Sequence, residues 1–401
     1  MKKKMAIVSS YSESCGNAAF TKVIHDSIEK FFPEFDVEVL ELDLSLLQSV
    51  DFGVRPKGDE HIKCLASKLT GFDIVNIQLE AGLYGSLPRD IIKRFGWLVK
   101  ANPNTSVTFH SPRLISTTPS GARLAFKKIL MLKIKSGLKD LFSNLYLNTH
   151  LKINKGLLRK AVNANARVIV HTTRAKKQIG HFFDYKNITL HPLKLVPYDF
   201  VPNKSVLSNI RTRANLSKDD VLIGMFGYIS GYKGHMDALE ALKLLPENYK
   251  LVIFGRQHPQ TLKSNGKVDE YLSKLIKNVL SSKELKSRVF FLGELNDEDF
   301  LSVASQVDIS WLPYYENGQD GSGIASICLD LCPRVLCSTS FAFDELFKQV
   351  RYTNVSRFDI GNILEMALKT NMILAAPIPQ MPYGDEATYN IKTQAEAYVN
   401  G

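Results

Sequence analysis

Cysteine is scarce in this chain of 401 residues. Its five cysteines form no C-x-x-C pair, which argues against a disulfide-stapled secreted domain and predicts a reducing compartment. Cys328 and Cys332 are four residues apart and are expected to be small core residues on one helix face rather than metal ligands.

Long apolar runs are also missing. No stretch of about 18 apolar residues occurs, so no transmembrane helix is expected. The N-terminal lysines are followed by an apolar run too short for a signal peptide. We therefore expect a cytoplasmic protein whose contact with a membrane would be peripheral, on the inner face. No G-x-G-x-x-G follows a predicted strand, which argues against a dinucleotide-dependent dehydrogenase.

Acidic residues are nearly absent from one segment. The formal net charge is +11, yet residues 201–401 hold 21 basic and 23 acidic side chains, whereas residues 1–200 hold 30 and 17. Between positions 91 and 177 there are 18 basic residues and one acid, Asp140. This concentration of charge indicates a surface that meets an acidic partner.

Basic and apolar residues are interleaved through 121–160, a pattern typical of a basic amphipathic helix. It predicts contact with an anionic membrane surface or an anionic acceptor, and an ordinary helix with a solvated lysine face is the alternative. Aromatic residues are sparse there and no nucleic-acid motif is present, so no nucleic-acid partner is expected. The residues assigned to this surface are Arg123, Lys127, Lys128, Lys133 and Lys135.

The rest of the chain alternates short apolar runs with helical periodicity. This rhythm predicts βα units around parallel sheets, and it restarts after a polar, proline-containing stretch at 196–220 that we interpret as a linker. The predicted fold is α/β, with two Rossmann-like, doubly wound domains facing a cleft. The domains are predicted at 1–200 and 201–380, and 381–401 is predicted as a tail or helix that packs back on the first domain.

Three loops of the second half follow predicted strands and carry unusual residues. Gly227–Gly234 (GYISGYKG) ends in Lys233 and Gly234 and opens a helix, which suits a phosphate. Gly255 directly follows the strand KLVIF, and Arg256 comes next. Pro313–Gly323 (PYYENGQDGSG) ends at a predicted helix N-terminus. Each feature also has an ordinary interpretation, such as a surface lysine or a helix cap at Ser322.

Taken together, the loops resemble the nucleotide-sugar domain of GT-B glycosyltransferases, in particular the retaining glycosyltransferase family 4 (group 1). The resemblance is carried by FGYISGYKG (226–234), LVIFGR (251–256) and 288–323. It implies a nucleotide diphosphate sugar as donor, a glycan or lipid-linked acceptor, and a setting such as bacterial polysaccharide or lipopolysaccharide assembly. It implies catalytic roles for His110, Lys233 and Glu316.

The donor-binding residues implied by the resemblance come from both halves. They are Gly16, Asn17, Gly227, Tyr228, Gly234, Gly255, Arg256, Ser322 and Gly323. Glu80, in the loop QLEAGLYG, resembles a residue of the family's cleft and is assigned to the acceptor side.

Two positions depart from the family pattern. Tyr228 stands where a basic residue is usual, and Arg256 is expected to supply that charge. Ile324 stands where the family often has a second glutamate. These departures leave a non-catalytic sugar-nucleotide-binding or scaffold protein as the alternative, beside other GT-B enzymes such as an epimerase or a phosphorylase.

The resemblance implies hexosyl transfer in which the leaving nucleoside diphosphate is stabilised by Lys233, Arg256 and the amides at Ser322 and Gly323. No D-x-D motif lies in a suitable loop, so neither a metal nor another cofactor is expected. No pair of carboxylates of the kind retaining hydrolases use is visible, so no covalent intermediate is predicted.

Overall fold

The structure, a computed structural model, describes residues 2–12, 16–115, 134–257, 269–316, 318–348, 354–379 and 389–400. For 134–147 it describes the backbone alone. The chain divides into two compact units. The first comprises 1–195, 318–321 and 391–401, and the second comprises 196–317 and 322–390.

The first unit is built on a six-stranded parallel sheet in the order β2-β1-β3-β4-β5-β6. Its central strands are buried on both faces, as expected for a parallel sheet that is covered by helices. The strands are β1 Lys3–Ser9, β2 Phe35–Glu41, β3 Ile74–Leu79, β4 Thr105–Phe109, β5 Arg167–Val170 and β6 Ile188–Leu190.

The second unit repeats the architecture, with a parallel sheet in the order β12-β11-β10-β7-β8-β9. Strand order reverses between β7 and β10, and in the first sheet between β1 and β3. Open α/β sheets bind ligands at such switch points, beyond the carboxyl ends of the strands. The strands are β7 Val221–Phe226, β8 Tyr249–Phe254, β9 Val289–Gly293, β10 Ile309–Leu312, β11 Val335–Ser338 and β12 Val355–Phe358.

Helices connect the strands of both sheets. None of them in the described part of the chain is long and apolar enough to cross a membrane. In the first unit they span Gly16–Phe31, Leu44–Leu47, Arg55–Leu69, Pro88–Val99, Ile134–Asn163, Thr173–Phe183 and Ile391–Val399. In the second they span Lys204–Arg213, His235–Leu242, Glu270–Ser281, Lys283–Lys286, Asp297–Ala304, Gly323–Leu331, Asp344–Phe347 and Ile363–Ala375.

The fold class predicted from the sequence is confirmed, since each unit is an α/β layer structure on a parallel sheet. Interpreting 196–220 as a linker was wrong. This stretch belongs to the second unit and contains the helix Lys204–Arg213, which Asn203 caps and which buries Leu207 and Ile210. Its few apolar residues hid the helical periodicity. Cys328 and Cys332 are buried core residues, as predicted.

The helix Ile391–Val399 packs in the first unit, although it comes last in the chain. Its Tyr398 and Val399 join the apolar cluster around Phe20 and Ile169. The Tyr398 hydroxyl lies 3.0 Å from the Thr108 hydroxyl, 290 residues away in sequence. The helix Ile391–Val399 thus completes a core to which β1 and β2 contribute.

Candidate functional site

A buried lysine lies at the switch point of the second sheet. Lys233 is 4% exposed, and its Nζ donates to the carbonyl oxygen of Phe226, at the end of β7, at 2.9 Å. The same Nζ lies 5.6 Å from the centre of the Tyr314 ring. Burial lowers the pKa of Lys233 to about 8. These partners are a carbonyl and an aromatic ring rather than a carboxylate, so the ammonium is left able to attract an anion.

Three glycines bring the backbone loops around Lys233 into close contact. A Cβ on Gly227 would lie 2.6 Å from Lys233 Nζ, one on Gly234 would lie 2.0 Å from the Pro313 oxygen, and one on Gly255 would lie 2.1 Å from the Gly227 oxygen. Gly227 and Gly234 also have φ values of +84° and +71°. Only glycine fits these positions. Gly227 follows β7, Gly255 follows β8, and Gly234 contacts Pro313, which follows β10.

Polar contacts fasten the loop after β10 to the loop after β7. The Tyr315 N–H donates to the carbonyl oxygen of Tyr232 at 2.6 Å, and its hydroxyl donates to Asp237 at 2.6 Å. The rings of Tyr232 and Tyr314 meet edge to face at 5.5 Å. The two loops therefore hold a fixed surface around the lysine.

Glu316 and Ser322, on the loop after β10, have structural partners. Glu316 accepts from the Phe341 N–H at 2.9 Å and lies 3.3 Å from the Ser340 hydroxyl, beyond β11. Ser322 accepts from the Ala325 N–H at 3.2 Å and is the N-cap of the helix Gly323–Leu331. The side chain of Ser322 is thus a helix cap, and the first-turn amides at Gly323 and Ile324 are what this helix can offer an anion.

Tyr228 and Arg256 lie side by side, with the guanidinium 5.8 Å from the ring centre. Arg256 is exposed and pairs with Glu294 at 2.9 Å. Exposed ion pairs contribute about 0–1 kcal/mol, so a phosphate can compete with Glu294 for this guanidinium.

Other predicted residues lie in the first unit. Gly16 opens the helix after β1. Asn17 is 7% exposed, and neither of its amide atoms has a hydrogen-bond partner among the described residues. Glu80 follows β3 and is exposed.

His110 directly follows β4, with Nε2 2.7 Å from Gln78 Oε1 and Nδ1 3.2 Å from His171 Nε2. Both of its ring nitrogens are therefore engaged inside the unit.

Sequence reasoning missed the histidines on the neighbouring strands. His171 directly follows β5 and His191 directly follows β6, so β4, β5 and β6 are each followed by a histidine. The signal in the sequence is a histidine directly after each of three short strand segments, in TFH, VIVH and TLH. Also missed was Asp320, buried in the first unit, where it accepts from Arg174 at 2.8 Å.

The basic surface predicted at 121–160 lies largely outside the described residues. Arg123, Lys127, Lys128 and Lys133 are outside them, and Lys135 belongs to the helix Ile134–Asn163 with an undescribed side chain. Within the described chain, the one three-residue group with metal-ligand geometry is His25, Asp26 and Glu29. It lies on the helix Gly16–Phe31, not on the strand-end loops.

Two Rossmann-like units, with a buried lysine and close-contact glycines at a switch point, are the arrangement that the resemblance to GT-B glycosyltransferases predicts. Residues 208–327 match the family of glycosyl transferases group 1, and this range contains every second-unit residue assigned to the donor. The resemblance to GT-B group 1 glycosyltransferases is confirmed, and so is the prediction of a glycosyltransferase enzyme, whereas family 4 and retention of configuration stay predictions.

Solved structures show the same fold across the chain. Sucrose-phosphate synthase from Thermosynechococcus elongatus is 17% identical, with 100% of this chain and 95% of that chain covered and a TM-score of 0.63. WaaG, a glycosyltransferase involved in lipopolysaccharide biosynthesis, is 12% identical, with 99% and 100% covered and a TM-score of 0.61. Anabaena Alr3699/HepE in complex with UDP is 14% identical, with 99% and 95% covered and a TM-score of 0.58. No curated protein matches the sequence.

Proposed function

We propose that this protein transfers a hexosyl group from a nucleotide diphosphate sugar to a hydroxyl of a glycan or lipid-linked acceptor, with retention of anomeric configuration. The observation that carries the proposal is Lys233, an ammonium buried among close-contact glycines at the switch point of the second sheet. A site of this kind suits a diphosphate, whose charge grows as the bond to the sugar breaks.

In the proposed reaction the bond between the anomeric carbon and the diphosphate oxygen breaks. The acceptor oxygen forms the new bond to that carbon, and its proton leaves with the nucleoside diphosphate. Lys233 and the first-turn amides at Gly323 and Ile324 stabilise the departing charge, and Arg256 adds a second cation after exchanging Glu294 for phosphate. We include in the proposal that no metal is needed and that no covalent sugar intermediate forms.

The donor is tested first with UDP-sugars, because Alr3699/HepE has been solved with UDP, with UDP and glucose, and with UDP-glucose. GDP- and ADP-sugars are run beside them, with and without a chelator. We expect one nucleotide class to raise the melting temperature and its sugar to be turned over, faster with acceptor present. A nucleotide that stabilises the protein with no turnover under any acceptor would support the non-catalytic alternative suggested by Tyr228 and Ile324.

We further propose a place for this reaction: the cytoplasmic face of a bacterial membrane, in surface polysaccharide assembly, with the basic segment 121–160 on the anionic leaflet. The support is the concentration of positive charge between 91 and 177. Each basic side chain near such a surface contributes about 1 kcal/mol. The protein is expected to sediment with vesicles containing anionic lipid and to stay in solution with neutral vesicles. Equal sedimentation with both would contradict the membrane role.

A further inference from the structure

One buried imidazole, one partly exposed imidazole and a backbone carbonyl form a continuous hydrogen-bonded chain along the carboxyl edge of the first sheet. His171 Nδ1 lies 2.9 Å from the carbonyl oxygen of His191, and His171 Nε2 lies 3.2 Å from His110 Nδ1. Phe20 packs edge-on against both rings, at 5.1 and 5.7 Å. His171 is 4% exposed, whereas His110 is partly exposed.

The carbonyl at one end fixes the protons along this chain. A carbonyl oxygen can only accept, so His171 Nδ1 must carry a hydrogen. A neutral His171 then has a bare Nε2, which must accept from His110, so His110 Nδ1 must carry a hydrogen as well. A neutral His110 is left with a bare Nε2. Burial supports neutral rings, because it lowers the pKa of His171 to about 4 and holds the pKa of His110 well below its usual value.

Gln78 is consistent with this assignment when its side-chain amide and that of Asn76 are both rotated. Its Oε1 faces His110 Nε2 at 2.7 Å, a contact that would require a hydrogen on Nε2 and hence a positive charge on the pair. Gln78 Nε2 donates to Asn76 Oδ1 at 2.7 Å, so the Asn76 amide must turn together with that of Gln78. Half-turns of both amides present the Gln78 nitrogen to His110 and the Asn76 nitrogen to Gln78 Oε1, and the oxygen and nitrogen of such groups are interchangeable by that rotation. The Asn76 oxygen then faces the Ser106 hydroxyl, which can donate to it. The bare Nε2 then accepts from the Gln78 amide.

We propose that His171 is a positioning residue that holds His110 as the neutral Nδ1–H tautomer, so that His110 Nε2 serves as a hydrogen-bond acceptor. In a bound complex, a sugar hydroxyl takes the place of the Gln78 amide as the donor to Nε2. A ligand group that can only accept, such as a carboxylate or phosphate oxygen, finds no partner there. This catalytic consequence rests on the proposed function, whereas the tautomer assignment does not.

The tautomer is measured directly by long-range 15N–1H spectra of the imidazole rings, assigned by single histidine substitutions. In the wild-type protein at pH 7 we expect His110 and His171 to be neutral, with the hydrogen on Nδ1. In His171→Phe, which removes the acceptor, His110 should shift toward the Nε2–H tautomer. A wild-type His110 that is doubly protonated or Nε2–H overturns the proposal, and so does an Nδ1–H ring that persists in His171→Phe.

Activity is measured on the same proteins. His171→Phe is expected to lose about tenfold in kcat/KM, the loss of roughly one neutral hydrogen bond. His171→Gln offers a donor and an acceptor in one amide and should recover most of it. His181→Gln, at an exposed histidine of the helix Thr173–Phe183, should match wild type.

The spectra and the activity measurements together distinguish the tautomer assignment from the positioning role and from the proposed function. A tautomer shift with unchanged turnover overturns the positioning role. The expected spectra in a protein without transferase activity overturn the proposed function and leave the tautomer assignment standing. Should His171→Phe fail to fold, the wild-type spectrum and His171→Gln still decide.

Discussion

Replacing Lys233 by methionine is expected to lower kcat about 10²–10³-fold, the range found when one preorganised charge-stabilising group is removed from an active site. Methionine has nearly the length of lysine and no charge, so it fills the buried space against Tyr314 and Gly227. The measurement is transfer rate against donor concentration, alongside thermal unfolding. A variant with near wild-type kcat would show that Lys233 does not stabilise the departing diphosphate.

The pH dependence of the same two proteins gives an independent check. Because the pKa of Lys233 is about 8, wild-type kcat/KM should fall as pH rises through 8, where the free enzyme loses the ammonium. The diphosphate of a bound donor favours the charged lysine, so the fall in kcat should occur at higher pH. Lys233→Met should lack this decline in its residual activity.

The free energy of unfolding should rise with pH, whereas kcat/KM falls. The lysine pKa is lower in the folded chain than its ordinary value of 10.5, so the unfolded chain binds more protons between pH 8 and 10.5. Wild-type stability therefore rises with pH across that window. Lys233→Met, which has no ammonium to desolvate, should be at least as stable as wild type at pH 7 and should not show the rise.

Gly234→Ala is expected to destabilise the second unit by about 2–5 kcal/mol, combining the cost of a left-handed backbone with that of overpacking. Gly234 has a φ of +71°, and its new Cβ would lie 2.0 Å from the Pro313 carbonyl oxygen. That oxygen is backbone and cannot rotate away. The loops after β7 and β10 must therefore separate, and with them the surface around Lys233.

Two further substitutions by alanine measure separately the backbone cost and the overpacking cost that Gly234→Ala combines. Gly293 has a φ of +79° with nothing within 4 Å of its Cβ position, so Gly293→Ala measures the backbone cost alone. Gly255→Ala adds a Cβ 2.1 Å from the Gly227 oxygen.

The chain has two tryptophans, Trp97 in the first unit and the fully buried Trp311 in the second. In a Trp97→Phe background, Trp311 fluorescence in denaturant therefore follows the second unit. Equal losses for Gly234→Ala and Gly293→Ala would contradict the tight contact.

The sequence predicts best where one residue type has a single physical use. The central strands of the second sheet, β7 and β10, appear as apolar runs because both of their faces are buried. Gly227, Gly234 and Gly255 stand out because no other residue fits their contacts. The edge strands β6 and β12 went unnoticed, since each is half-buried and only three or four residues long. Edge position depends on the order of strands in the sheet, which local pattern does not contain.

The same limit explains the first-unit site. His110 was found through a family resemblance, whereas His171 and His191 matter only because β4, β5 and β6 are neighbours. Adjacent strand ends bring the three histidines together across 81 residues of sequence, from His110 to His191. The sequence indicates Glu316 and Ser322 as polar residues of a loop that follows a strand. Their hydrogen-bond partners, the N–H groups of Phe341 and Ala325, depend on how the loops fold.

The helix Ile391–Val399 sets an order of events during synthesis. A ribosome releases the chain from its first residue onward, so β1 to β6 emerge long before this helix does. Until it arrives, the Phe20 and Ile169 side of the first core lacks Tyr398 and Val399, and His191 lacks the Thr393 hydroxyl that lies 2.9 Å from its Nε2. The second unit, 196–317 and 322–390, is translated in between. Nascent chains of this protein should thus expose an apolar face to chaperones until residues 391–399 have emerged from the ribosome.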